Sequence, residues 1–256
     1  MKPNQWTRRD LLKTSAALAL PAFVPASVLG LEGTPPSESV RVGVIGCGGR
    51  SRVIRDGDDV KGFQVVAACD LQIEKAEKWV NELSEGKKWG VYDDFRLMID
   101  KEKLDAVMVE TPTHPRAWIA MNAMQAGMDV YIEKPMCLTI AEGRAMVKLA
   151  RKYKRVTQVG TQQRSMPLNN WASDLVKSGK LGKCLTVLAP NFIGPFRWTK
   201  TSSKDVTEPV EKWWDLWTNQ AELRPYDPQL HRGWARWWDY DGGGLCFGVT
   251  GWGTHS

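Results

Sequence analysis

From residue 40 onward, short runs of β-branched and small apolar residues alternate with longer stretches whose apolar positions recur at helical spacing. Val40-Arg41-Val42-Gly43-Val44-Ile45 and Gln64-Val65-Val66-Ala67-Ala68-Cys69 lack a regular polar face, as strands covered on both sides do. Ile73 to Leu83 predicts a helix, and Ala106-Val107-Met108-Val109 a strand that ends at Thr111-Pro112. Arg116 to Ala126 predicts a helix closed by Gly127, and Val130-Tyr131-Ile132 a strand running into Glu133-Lys134-Pro135. Thr139-Ile140-Ala141-Glu142 has the form of a capping box and opens a helix to about Lys154, after which Val156 to Val159 predicts another strand. Such alternation implies an α/β fold with a doubly wound parallel sheet, whose ligands bind beyond the carboxyl ends of the strands. Thr111, Pro112, Glu133, Lys134 and Gln162 fall at those ends.

The first strand feeds directly into Gly46-Cys47-Gly48-Gly49-Arg50-Ser51. Its first glycine permits a tight turn, and its second lets backbone approach a pyrophosphate. The third position, held here by Ser51, wants a small residue where helix meets strand. Asp70 closes the second strand, where an acid accepts hydrogen bonds from the adenosine ribose and repels a 2′-phosphate. Leu71-Gln72 offer no compensating cation, so the pattern points to NAD rather than NADP.

Composition narrows the partners. Hydrophobic content of 43% and charged content of 25% are those of a globular chain. The net charge of +6 does not imply a nucleic-acid partner: half of the excess lies before residue 31, where Lys2, Arg8, Arg9 and Lys13 face only Asp10. The five cysteines, Cys47, Cys69, Cys137, Cys184 and Cys246, are widely spaced without a CxxC pair, so neither a metal site nor a disulfide framework is expected. Thr7-Arg8-Arg9-Asp10-Leu11-Leu12-Lys13 followed by an uncharged, Ala- and Leu-rich stretch to Gly30 has the parts of a twin-arginine export signal. Residues 1–30 are therefore expected to be a signal and 31–39 a linker, giving a periplasmic or otherwise extracytoplasmic protein with no membrane association once the signal is removed.

The GCGGR turn, the Asp70 strand end, Thr111-Pro112, Glu133-Lys134-Pro135 and Trp252-Gly253-Thr254-His255 occur in the order seen in the glucose–fructose oxidoreductase/inositol dehydrogenase (Gfo/Idh/MocA) family. The chain resembles its twin-arginine-exported bacterial branch, C-terminally truncated. The resemblance implies an NAD-binding Rossmann domain over 40–165, then an incomplete α+β open-faced-sheet substrate domain over 166–256, with Lys183 to Leu188 as its first strand. It implies catalytic roles for Lys134 and His255, and homo-oligomers for the full-length protein. Cofactor contacts are expected from Gly46, Cys47, Gly48, Gly49, Arg50, Asp70, Thr111, Pro112, His114, Glu133, Lys134 and Gln162. Substrate contacts are expected from Lys134, Arg164, Trp237 and His255. Two departures stand out. Gly251 replaces the acid expected before the motif histidine, leaving Asp239 and Asp241 as nearby substitutes, and Arg116 stands where the family commonly has histidine.

Eight of the thirteen tryptophans fall after residue 190. Flat aromatic faces suit the C–H faces of sugar rings; any one of them is more readily explained by packing, but as a group they point to a carbohydrate. The expected function is oxidation of a sugar or polyol secondary alcohol, with hydride passing to tightly bound NAD. Two alternatives stand beside it: an NAD-dependent glycosidase or lyase acting through a transient keto-sugar, and a non-catalytic sugar- or NAD-binding protein.

Overall fold

The computed structural model describes residues 38–56, 62–186, 200, 202–206 and 210–241. The chain divides into two units between Ser39 and Val40, and the elements below belong to the second. The expected signal and nearly all of the linker lie outside the described residues, as do Trp252 and His255.

The second unit is built on six parallel strands: β1 (Val40–Ile45), β2 (Phe63–Cys69), β3 (Gly90–Tyr92), β4 (Ala106–Val109), β5 (Asp129–Glu133) and β6 (Thr157–Gly160). Their spatial order is β3-β2-β1-β4-β5-β6. The order therefore reverses between β1 and β4, which opens a crevice at their carboxyl ends. Helices α1 (Gly49–Asp56), α2 (Ile73–Leu83), α3 (Phe95–Lys101), α4 (Thr113–Gln125) and α5 (Ile140–Tyr153) connect the strands.

Both faces of the sheet are covered. Val44 and Ala68 join Trp79 and Ala76 of α2 on one face, while Ile45, Val107, Val109, Val130 and Ile132 meet α4 on the other. Val65 and Ala67 point to opposite faces despite their spacing of two. The cause is a bulge: Val42 pairs with Val65 but Gly43 with Ala67, so Val66 is the extra residue that flips the alternation.

Helix α4 starts at Thr113, three residues ahead of the sequence expectation. Pro115 is compatible with this because backbone N–H groups in a first turn have no intrahelical partner to lose. The capping box at the start of α5 is fully formed: the Thr139 hydroxyl accepts from the Glu142 amide at 3.2 Å, and the Glu142 carboxylate accepts from the Thr139 amide at 2.9 Å. β3 and α3 were not anticipated, since three residues and seven residues are too short to show a period. Asp94 caps α3 by accepting from the Arg96 amide at 2.9 Å.

Beyond β6 the regular elements among the described residues are helical, with α6 (Pro167–Lys177), α7 (Lys212–Thr218), α8 (Pro228–Arg232) and α9 (Trp238–Asp241). The strand expected from Lys183 is not formed over its described part, Lys183 to Thr186, which pairs with no strand among the described residues. Residues 210–241 pack on the Rossmann sheet unit rather than on a sheet of their own among the described residues. Trp214, Trp217, Leu230 and Tyr240 form a small core that Leu71, from the loop after β2, joins. The fully buried His114 of α4 packs against it, its ring 4.8 Å from those of Trp217 and Tyr240. No helix among the described residues is long and apolar enough to cross a membrane.

Candidate functional site

The crevice begins at the turn after β1. Gly46 has φ +99°, and a Cβ there would lie 2.8 Å from the backbone of Glu110, so only glycine fits between β1 and β4. Gly48 and Gly49 are different: a Cβ at either would meet nothing within 4 Å. Their backbone is open to a ligand, and the first N–H groups of α1, which begins at Gly49, lack intrahelical partners. Ser51, in place of the third glycine, is buried with its hydroxyl donating to the Gly48 carbonyl at 2.8 Å.

Asp70 ties the turn to β2. One carboxylate oxygen accepts from the Cys47 amide at 3.0 Å and the other from the Gln72 amide at 3.0 Å. Glycine turn and acid thus form one hydrogen-bonded unit. Cys47 contributes its backbone alone to this arrangement: its side chain is buried, and burial together with Asp70 pushes the thiol well above its usual range.

Gly46, Gly48, Gly49, Arg50 and Asp70 line a crevice of about 480 Å³, with Thr111 and Pro112 at the end of β4. That volume lies within the range of about 300–1,000 Å³ typical of small-molecule sites. The far wall comes from the later helices: Trp213, Trp217, His231 and Trp234 line it together with Arg232. Lys75 and Arg96 are two further cations on the walls, although Arg96 is held by a bidentate contact to Asp94.

The ends of β4 and β5 carry a linked set of charges. The Arg50 guanidinium donates to Glu133 at 2.7 Å, and Glu133 also accepts from the Lys134 amide at 3.0 Å and the Tyr131 hydroxyl at 3.3 Å. Arg116 is buried and donates to the Thr111 carbonyl at 2.8 Å and the Pro135 carbonyl at 2.9 Å. It therefore clamps the two strand ends together. Between them lies Glu110, 8% exposed, with no hydrogen-bond partner for either carboxyl oxygen. Burial, and then the charge of Glu133, push it up to about 8 against the opposing pull of Arg116 and Arg50.

The sequence candidates separate into groups. The glycine turn, Asp70, Thr111 and Pro112 share the crevice wall. Glu133 and Lys134 are not wall residues: Glu133 is joined to the wall through Arg50, and the Lys134 amide donates to Glu133. His114 faces away: its Nε2 meets the Trp217 carbonyl at 2.6 Å inside the aromatic core, and burial lowers it to about 3. Gln162 and Arg164 are exposed on a turn after β6, and Trp237 packs against the aromatic core. Asp239 pairs with the buried Arg224 at 2.8 Å, and the Asp241 carboxylate accepts from Thr113. His255 and Gly251 lie outside the described residues. Sequence reasoning missed Glu110, whose signal was an acid ending an apolar strand directly before Thr111-Pro112.

A parallel sheet that reverses order beside a glycine turn, with an acid hydrogen-bonded to that turn, defines a dinucleotide-binding α/β protein. Residues 40–161 match the GFO_IDH_MocA family model, described as an oxidoreductase family with an NAD-binding Rossmann fold. The matched segment, just under half of the chain, is similar to this NAD-binding family and contains both the glycine turn and Asp70. The inositol 2-dehydrogenase of Azotobacter vinelandii is 31% identical over 152 residues, covering 57% of this chain and 44% of its own. The glycosyl hydrolase family 109 protein of Shewanella pealeana is 25% identical over 223 residues, 80% of this chain and 46% of its own. Among solved structures, myo-inositol 2-dehydrogenase from Lactobacillus plantarum gives a TM-score of 0.53 at 29% identity, over 57% of this chain and 43% of that one. The chain thus spans under half the length of these relatives.

Proposed function

We propose that the protein is an NAD-dependent oxidoreductase acting on a secondary alcohol of a sugar or polyol, with a cyclitol such as inositol as the first compound to test. The observation that carries this reading is the union of the glycine turn and Asp70 through the Cys47 amide at the mouth of the crevice. Open backbone at Gly48 and Gly49 fits a pyrophosphate, and Asp70 retains lone pairs for ribose hydroxyls. Bound NAD supplies the hydride acceptor.

In this reading Lys134, at the carboxyl end of β5, takes the hydroxyl proton as the carbon loses its hydride, and His255 assists or orients. Arg116 and the Arg50–Glu133 pair fix the segment that carries Lys134 against the β4 end and the glycine turn. Arg164 and Trp237 complete the substrate contacts, in a substrate domain spanning 166–256. Arg8-Arg9 and the apolar stretch behind them support export, and with it a tightly held cofactor.

A second reading is favoured by the match to the family 109 protein, which runs well past the Rossmann segment. There the same oxidation is transient, and serves to acidify a neighbouring C–H and eliminate a glycosidic bond. Native mass spectrometry of the purified protein should show a bound dinucleotide. A polyol deuterated at the reacting carbon should then pass its label to that dinucleotide, with turnover falling at least a hundredfold in Lys134→Met. Bond cleavage with solvent exchange supports the second reading instead. A protein that holds no dinucleotide and turns over neither substrate class overturns both.

A further inference from the structure

The family match ends at residue 161, yet the crevice does not end with the residues it covers. Trp213, Trp217, His231 and Trp234 all belong to the later helical segment and all line the same space as Asp70 and the glycine turn. Three observations place this aromatic wall over the β2 side of the crevice. Leu71, the residue after Asp70, packs into the Trp214–Tyr240 core. The charge of Lys75, in the first turn of α2, reaches His231, and that of Lys212 reaches Asp94. The wall is also internally braced: Trp213 meets His231 at 5.3 Å and Trp217 meets His231 at 5.2 Å between ring centroids.

In a sheet that winds both ways from β1 and β4, the half on the β2 side takes the nucleoside whose ribose the β2 acid holds. We propose that the aromatic wall formed by Trp213, His231 and Trp234 is the adenine subsite of the crevice, stacking on the base whose ribose Asp70 holds. This rests on the dinucleotide reading above and deepens it, since it assigns cofactor retention to a part of the chain outside the matched Rossmann segment. The chemistry fits the ligand class. A purine offers two polarisable faces and little charge, so tryptophan rings recognise it without a specific hydrogen bond. Burial lowers His231 to about 4, so its imidazole is neutral at physiological pH and acts as a further flat ring rather than a cation.

The fragment that carries adenine separates this proposal from the broader reading. Binding of NADH, of ADP-ribose and of nicotinamide mononucleotide is measured on the whole protein by tryptophan fluorescence and calorimetry. Trp213→Leu and His231→Leu should each weaken NADH and ADP-ribose by about tenfold, the scale of one base–aromatic stack, and leave the mononucleotide unchanged. Trp213→Phe and His231→Phe, which keep a ring, should recover most of the loss and so exclude simple misfolding. Undiminished ADP-ribose affinity in both leucine variants, or an equal loss for the mononucleotide, overturns the subsite alone. Failure of the unaltered protein to bind NADH or ADP-ribose overturns the dinucleotide reading and the subsite together.

Discussion

The Nε of Arg50 lies 2.7 Å from Oε1 of Glu133, joining the first turn of α1 to the carboxyl end of β5. Arg50 lines the crevice and is one-third exposed, whereas the Glu133 side chain is almost wholly buried. The pair therefore couples the backbone that would hold a pyrophosphate to the strand end that bears Lys134.

Removing the arginine should leave a buried carboxylate without its cation. We expect Arg50→Ala to lower stability by about 2 kcal/mol, below the range for fully buried pairs because Arg50 is partly solvated. Adding Glu133→Gln to that variant should recover part of the loss, since no orphan charge remains. Urea unfolding measures both. An unchanged midpoint in Arg50→Ala would show that the pair contributes nothing.

Asp70 does two things at once, accepting from Cys47 and Gln72 amides and presenting negative charge to the crevice. Asp70→Ser should weaken NAD by about tenfold through the lost charge-assisted hydrogen bonds. It should weaken NADP far less, or strengthen it, because Lys75 and Arg232 stand on the same walls and could then meet a 2′-phosphate. Calorimetric titration with both dinucleotides tests the change in ratio; an unaltered preference refutes the role of Asp70.

His114 sets an acid limit on stability. Its folded pKa, about 3, lies below the ordinary 6.5, so the folded chain refuses a proton that the unfolded chain accepts. The contribution is complete above pH 6.5 and declines as pH falls towards 3, at no more than about 1.4 kcal/mol per pH unit. His114→Phe loses the contact to the Trp217 carbonyl, and its absolute stability should drop. Its slope over that pH range should nevertheless flatten. A wild-type slope in the variant would assign the acid sensitivity elsewhere.

Glu110 acts in the opposite direction. A carboxyl that is raised to about 8 from the ordinary 4.5 stays protonated when folded and ionises when unfolded, so stability falls as pH rises between those values. Glu110→Gln removes this term. Its advantage in thermal midpoint over the unaltered protein should grow steadily from about pH 4.5 to about pH 8 and then level off. Differential scanning fluorimetry across that range decides it, a constant or shrinking difference being the contrary result. With only these two groups considered, the slopes offset between pH 4.5 and 6.5, where stability should be nearly flat.

The amino-acid sequence by itself determined the parallel sheet, the glycine turn and the acid that closes β2. Each is written locally, as uninterrupted apolar runs, a glycine demanded by positive φ at Gly46, and Asp70 one residue past a strand. The capping box at Thr139 was legible for the same reason, since its partners are three residues apart. Tertiary structure alone decided what those strand ends meet. His114 and the cofactor turn both lie near strand ends in the sequence, but a ring buried under Trp217, 103 residues away, cannot also face the crevice. The bulge at Val66, the orphan carboxyl of Glu110 and the aromatic wall of Trp213 and His231 are likewise products of packing between segments distant in the chain. Local periodicity records which face of an element is apolar; it carries no record of which other element will cover that face.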